Sequence, residues 1–297
     1  MSDTSLLDQA ARGFRTLLPK RFRSDLPVVP VVRLSGAIGF STPLRPGLTL
    51  ASCARALDRA FSYRKPVAVA LVINSPGGSA AQSHLIFTRI RRLAEEKKVP
   101  VIAFVEDVAA SGGYMIACAA DEIVADPNSI VGSIGVVGGS FGFHGLLEKI
   151  GVERRLYTSG ERKAMLDPFL PEKPEDVARL KAIQQEIHES FIALVKARRG
   201  VALADGDGDL FSGEYWTGQR GLVLGLVDRL GDLRSVLREK FGDEVMTPLI
   251  SPPRSLFGRS PPGISAADWL DGAGRPTFAE EMLSAMEARA LWARFGL

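Results

Sequence analysis

Three short runs of β-branched and apolar residues constrain the fold more than anything else in the chain: Val28 to Leu34, Val67 to Ile73 and Val99 to Val105. Runs this short and this uniformly apolar read as strands buried on both faces. Between them lie segments of helical spacing, an amphipathic one from Leu48 to Tyr63 and a longer one from about Ala80 to Lys98. Strands separated by helices cannot pair as hairpins; they pair in parallel through right-handed crossovers. The expectation is an α/β protein built on a parallel sheet. A chain of 297 residues with 46% hydrophobic content has material for one large core or two small ones.

The alternation continues. Gly112 to Ala120 reads as a helix packed close to its neighbours, Glu122 to Ala125 as a short strand, and Ile130 to Val137 as an apolar stretch holding Gly132-Ser133-Ile134-Gly135. Phe143 to Ile150 reads as a helix, Arg154 to Thr158 as a strand, and about Glu175 to Arg199 as a long helix. A further helix ends at Gly225-Leu226-Val227-Asp228, and 232–241 closes the body. These readings divide the chain into a basic amphipathic segment at 1–26, a core at 27–242, a Pro-rich linker at 243–265 and a helical tail at 266–297. In the first segment Leu6, Leu7, Ala10, Phe14 and Leu17 share helical spacing with Arg12, Arg15 and Lys20. Such a helix suits docking on the protein body, on a partner subunit, or on an anionic membrane surface.

Composition removes several classes of function. A net charge of +3, dispersed along the chain, gives no footprint for nucleic acid. The two cysteines, Cys53 and Cys118, sit in apolar helical patterns and suggest neither a metal site nor a disulfide framework. Val101 to Ala120 is long and apolar enough to resemble a membrane span, but Glu106 and Asp107 at its centre favour strand-turn-helix in a protein core. With no hydrophobic signal core at the N-terminus, the expected location is cytoplasmic or peripheral at the inner membrane.

Chemistry concentrates at two turns. Pro76-Gly77-Gly78 follows one buried strand and Ser111-Gly112-Gly113 follows the next. If these strands are neighbours, both turns lie at one sheet edge, and each can offer a backbone N–H to a single oxygen as in an oxyanion hole. Ser111 then stands as a nucleophile, or simply as an N-cap. The turns lack the Gly-x-Gly-x-x-Gly spacing of a dinucleotide loop. A serine nucleophile needs a base. The candidates are the three histidines, His84, His144 and His188, of which only His84 lies near a glycine turn, or a lysine such as Lys163, after Ser159-Gly160 and before Met165-Leu166. A solvated lysine has a pKa near ~10.4 and is protonated at neutral pH, so a lysine base requires burial.

Asn74-Ser75-Pro76-Gly77-Gly78, Ala110-Ser111-Gly112-Gly113-Tyr114, Gly132-Ser133-Ile134-Gly135, Ser159-Gly160-Glu161-Arg162-Lys163 and Gly225-Leu226-Val227-Asp228 occur in that order. Together they resemble the signal peptide peptidase A family of serine proteases in its short bacterial form, over about residues 28–242. The resemblance implies a crotonase-like or Clp-protease-like fold with repeated ββα-type units and a parallel sheet, to which this chain adds its helical tail. It implies Ser111 as nucleophile, Lys163 as general base, Ser133 as the residue orienting the lysine amine, and the N–H groups of Gly78 and Gly112 as the oxyanion hole. It also implies assembly into homo-oligomeric rings in which a neighbouring subunit completes each site. Membrane-bound members carry an N-terminal anchor where this chain has the amphipathic segment, and the region after 245 is not part of the family core.

The activity expected on these grounds is endopeptidase hydrolysis through a Ser-Lys dyad and an acyl-enzyme, with no metal and no cofactor. The substrate is a peptide or protein, such as a remnant signal peptide or another membrane-derived or unfolded peptide. It would add as a strand beside Gly77 and Gly135. The competing expectations are a crotonase-type enzyme acting on acyl-CoA thioesters, since fold does not fix function, and a catalytically silent scaffold.

Overall fold

The computed structural model describes residues 26–39, 47–160, 162–203 and 208–251, together with Trp292, Ala293 and Phe295. The amphipathic segment expected at 1–26, apart from Leu26, and most of the expected linker and tail lie outside the described residues.

Among the described residues seven strands form one sheet: β1 (Val31–Ser35), β2 (Val69–Ser75), β3 (Val101–Ala110), β4 (Glu122–Ala125), β5 (Ile130–Gly132), β6 (Tyr215–Thr217) and β7 (Arg229–Leu230). The order is β1-β2-β3-β4-β7, with β5 beside β3 and β6 outside β5. Every pairing is parallel except β5 with β6. The α/β architecture expected from the alternating runs is therefore present.

The long β3 serves two neighbours in turn. Ile102 to Val105 pair with β4, and Val108 to Ala110 pair with β5. Between the halves the register against β2 slips: Ile73 faces Val105 but Ser75 faces Ala109. The extra residues bulge out of the ladder and carry Glu106 and Asp107 away from the apolar layers. There Glu106 meets Arg33 at 2.7 Å and Asp107 accepts from the Asn74 side-chain amide at 2.6 Å. Adjacent carboxylates inside an otherwise apolar run thus mark the place where the sheet divides.

Alternation along β2 sends side chains to both faces. Leu71 and Ile73 join a core with α1 (Leu50–Phe61), α2 (Ala80–Lys97), α3 (Gly112–Ala117) and α5 (Pro174–Arg199), the last of which follows the short α4 (His144–Ile150). Ala70 and Val72 join a second core closed by Val236 and Leu237 of α7 (Leu233–Phe241). Helix α1 begins where Thr49 Oγ1 accepts the Ser52 N–H, and α2 begins where Ser79 Oγ accepts the Gln82 N–H. Helix α3 stops at Ala117, short of the expected Ala120, because Arg198 takes the carbonyls of Cys118 and Ala120 at 2.9 and 2.8 Å.

Three other segments differ from the sequence expectation. Residues 246–250, placed in the linker by composition, lie along β1: Val29 and Val31 donate to the Met246 and Pro248 carbonyls, and Ile250 donates back to Val31. This covers a sheet edge, and Pro248 fits because it has only to accept there. Arg154 to Thr158 has no strand structure. It is held by side chains instead, since Arg154 pairs with Asp167 and lies 4.9 Å over the Phe169 ring. The hydrogen bond from Arg154, helped by the Phe169 N–H, holds the Asp167 carboxyl below the usual carboxylate range. The antiparallel strand β6 is hidden in the sequence, because it is three residues long and its last residue, Thr217, is also the N-cap of α6 (Gly218–Val223). At the far end of the chain, Trp292 and Phe295 pack beneath Val108 and Ala110 of β3, and Phe295 meets the Tyr215 ring edge-on at 5.0 Å.

Gly225-Leu226-Val227-Asp228 proves to be a structural clamp. Arg199, 6% exposed, binds both Asp228 oxygens at 2.8 Å and the Gly225 carbonyl at 2.8 Å. Asp228 also accepts the Ile123 N–H at 2.7 Å, and the Tyr114 hydroxyl donates to the Leu226 carbonyl at 2.9 Å. Burial is the largest single influence and works against the charge of Arg199, but the hydrogen bonds to Asp228 together with the Coulombic attraction of Tyr114, Asp228 and Cys118 outweigh it, and its pKa is raised. Arg199→Ala should cost about 3–5 kcal/mol in urea unfolding, because Asp228 is left without its partner. Arg199→Lys should recover little, having no fork to bind both oxygens. A loss below about 1 kcal/mol, the range of surface ion pairs, would contradict the clamp.

Candidate active site

In an open parallel sheet, ligands bind beyond the carboxyl ends of the strands. In this sheet β2 ends in Asn74-Ser75-Pro76-Gly77-Gly78 and β3 in Ala110-Ser111-Gly112-Gly113, and the two strands are neighbours. Both glycine turns therefore open on the same edge.

Ser111 has φ 51° and ψ −121°, a conformation that costs a non-glycine residue about 1–3 kcal/mol. It is held by its own N–H, which donates to the Gly132 carbonyl at 2.8 Å. The bend presents the half-buried Ser111 side chain at the junction of β3 and α3. Gly112, the first residue of α3, has an N–H that the helix itself leaves unpaired.

The facing turn fits closely. A Cβ on Gly77 would lie 2.8 Å from the Ser111 Cβ, and one on Gly78 would lie 2.2 Å from the Ile38 carbonyl oxygen. Gly78 is bridged in parallel to Ile38, which donates to the Gly77 carbonyl and accepts from the Ser79 N–H, each at 2.8 Å. In such a bridge one residue makes both hydrogen bonds, and the N–H of the other points to the opposite side. The Gly78 N–H is accordingly turned away from Ile38.

Ser111, Gly78, Gly112 and Gly135 line one cleft of about 400 Å³. Its apolar walls are Met115, Val136, Val137, Ile187 and Phe191. Ser133 lies just behind, 4% exposed and at φ 54°, tied to Ser111 through the Gly132 carbonyl. The chain thus brings together the expected nucleophile, both expected oxyanion donors, both substrate-strand glycines and the expected orienting serine.

It does not bring Lys163 to them. Lys163 is exposed, in a turn where its N–H donates to the Gly160 carbonyl at 3.2 Å, and it is not among the residues lining the cleft. The burial that a lysine base needs is not supplied by the chain's own fold. The histidines are better resolved by the structure than by the sequence. His84 is exposed and stacks on Phe87, and His144 lies 3.4 Å from Glu148. His188, which has no recognisable context in the sequence, places Nε2 3.1 Å from the Ile134 carbonyl, between Ser133 and Gly135. That nitrogen donates to a carbonyl and so is not free to take a proton from Ser111. The signal available in the sequence is Ile187 and Phe191, at helical spacing on the same stretch of α5, both lining the cleft.

Other chemistry finds little support. Cys53 and Cys118 are buried free thiols, each pushed up to about 12 by burial, and neither is a usable nucleophile. Among the described residues no group of three or more His, Cys, Asp or Glu could hold a metal ion. A larger cleft of about 670 Å³, lined by Tyr63, Arg64, Arg234, Arg238, Asp243 and Glu244, lies near the start of β2, away from the glycine turns. Among the described residues no helix is long and apolar enough to cross a membrane.

The chain is 55% identical over 300 residues to a Brucella abortus protein named Na(+)/H(+) antiporter NhaA; the match covers 99% of this chain and 40% of that protein. It is 36% identical over 213 residues to the chloroplastic serine protease SPPA of Arabidopsis thaliana, covering 71% of this chain and 31% of that one. The chain thus spans less than half the length of either relative. Among solved structures, a serine-to-alanine variant of the 1510-N membrane-bound stomatin-specific protease aligns with a TM-score of 0.47 at 17% identity, covering 77% of this chain and 99% of that one. The family model that matches residues 93–243 is Peptidase family S49. That match takes in β3 with Ser111, the Ser133 turn, Lys163 and the Arg199–Asp228 clamp, and the chain belongs to peptidase family S49.

Proposed function

We propose that this chain is a serine endopeptidase acting through a Ser111–Lys163 dyad, with the lysine supplied by a second copy of the chain. The observation that carries the reading is Ser111, held in a strained bend between two glycine turns at the mouth of an apolar cleft. Lys163 is missing from that cleft, but the arm that bears it carries unburied apolar groups: Val137, Phe141, Leu146, Ile150, Val152 and Tyr157 are all more than half exposed. A patch of this kind marks an interface. Packing this arm against a neighbouring copy would bury the lysine and bring it to that copy's serine, and repetition of a head-to-tail contact closes a ring.

An extended peptide would lie beside Gly77 and Gly135, with an apolar side chain among Met115, Val137 and Phe191. Ser111 Oγ attacks the carbonyl carbon and its proton passes to the lysine amine. The N–H groups of Gly78 and Gly112 hold the resulting oxyanion. The C–N bond breaks as the lysine returns the proton to the leaving amine. Water then attacks the acyl-enzyme, gives its proton to the lysine, and releases the carboxylic acid as Ser111 regains its proton. No metal or cofactor enters these steps. The amphipathic residues 1–26 would bring the enzyme to an anionic membrane surface, where remnant signal peptides and other membrane-derived peptides arise. Incubation with casein and with short apolar peptides tests the reading. Cleavage blocked by a fluorophosphonate is expected; an unmodified Ser111 in an inhibited enzyme would contradict it.

A further inference from the structure

The turn that ends β2 has a gap in its hydrogen-bond ladder, and Ser75 fills it. Ser35 lies opposite Asn74, so the next rung sets Gly36 against Ser75. The Gly36 N–H donates to the Asn74 carbonyl at 2.9 Å. In a parallel ladder the Gly36 carbonyl would then accept from the N–H of residue 76. Residue 76 is proline and has none. The Ser75 hydroxyl donates to the Gly36 carbonyl in its place, at 2.8 Å, and its oxygen accepts the Gly77 N–H at 3.3 Å. The ladder resumes at Ile38 and Gly78 with one residue more on the β2 side. Ser75 is wholly buried, and its carbonyl oxygen lies 2.4 Å from where a Cβ on Gly113 would be, so it is also wedged against the helix that follows Ser111.

We propose that Ser75 is the positioning residue of the oxyanion hole, fixing the Pro76–Gly77 peptide and through it the adjoining peptide whose Gly78 N–H faces the reacting carbonyl. This rests on the reading of Gly78 and Gly112 as the oxyanion donors. Pro76 and Ser75 work as a pair: the proline removes a rung, which lets the chain bulge, and the hydroxyl replaces that rung from the side chain. Without the hydroxyl, the Gly36 carbonyl and the Gly77 N–H both lose a partner where little water reaches them. The Pro76–Gly77 peptide then turns to find other partners, and two glycines in succession pass that rotation on with little steric resistance, so the Gly77–Gly78 peptide pivots on the bond from the Ile38 N–H to the Gly77 carbonyl and the Gly78 N–H leaves the cleft. The oxyanion exists only beyond the ground state, so the loss falls on kcat and not on KM.

The test uses the full chain with a chromogenic apolar peptide substrate, and compares wild type, Ser75→Ala and the double variant Ser75→Ala/Pro76→Ala. Ser75→Ala should lose about 100-fold in kcat, the size of one oxyanion donor, with KM nearly unchanged. The double variant returns a backbone N–H to the Gly36 carbonyl and should recover about tenfold of that loss, one hydrogen bond's worth. Melting curves establish that both variants are folded at the assay temperature. A wild-type kcat in Ser75→Ala, a loss carried by KM, or no recovery in the double variant would overturn the role. Hydrogen exchange at the Gly77 amide reads the same contact without turnover: slow in wild type, fast in Ser75→Ala. A wild-type chain with a protected Gly77 amide but no peptidase activity contradicts the proposed function and upholds the contact. An active wild type with an unprotected Gly77 amide overturns the inference alone.

Discussion

Ser111→Ala will lower peptide turnover by about 10⁴–10⁶-fold, the range for removing a nucleophile that acts as a unit with its base. The fold will survive, because the bend at residue 111 is held by the backbone, through the bond from its N–H to the Gly132 carbonyl, and not by the hydroxyl. Ser111→Gly is the more informative partner. It is equally inactive, but glycine adopts φ 51° without strain. It should therefore be more stable than Ser111→Ala by about 1 kcal/mol, the strain relieved less the added freedom of the unfolded chain. Urea unfolding of the two inactive variants measures this difference. Equal stabilities would show that the bend is not under strain, and retained turnover in either variant would remove Ser111 as the nucleophile.

Lys163→Ala will inactivate the enzyme as thoroughly as Ser111→Ala, although Lys163 does not line the cleft of its own chain. The effects will not add in the double variant, since nucleophile and base serve one step. Lys163→Arg, which keeps the charge, should be inactive as well, because a guanidinium does not give up its proton in a protein. This distinguishes a base from a cation that only attracts substrate. Steady-state turnover of each variant is the measurement. Substantial activity in Lys163→Arg would exclude proton transfer as the role of Lys163.

The parts of this structure that can be read from the sequence are those where local chemistry and global packing agree. The apolar runs at Val67 and Val99 have to be buried parallel strands, and the turns after them have to share an edge, so Ser111, Gly78 and Gly112 are legible as a group. The residues that escape such a reading are set by distant partners. Arg154 to Thr158 has a strand-like pattern but is held by Asp167 and Phe169. Residues 246–250 look like a linker because they contain Pro248, yet they only need to accept hydrogen bonds from β1. His188 reaches Ile134 only because α5 crosses the cleft; Ile187 and Phe191 beside it mark an apolar face, but not which part of the chain that face meets. Arg199 closes the long helix read at Glu175 to Arg199, and its burial against Asp228 depends on a partner 29 residues further on. Lys163 is the converse case: its motif names it, while the fold of one chain leaves it exposed.

Mixing Ser111→Ala with Lys163→Ala tests the central claim most directly. Each variant alone has no complete site. If the dyad forms between copies, subunits denatured together and refolded in equal amounts should regain about a quarter of wild-type turnover, because half the sites receive an intact serine and half of those an intact lysine. A mixture as inactive as its components would contradict the claim, because the serine and the lysine would then not meet across a subunit boundary.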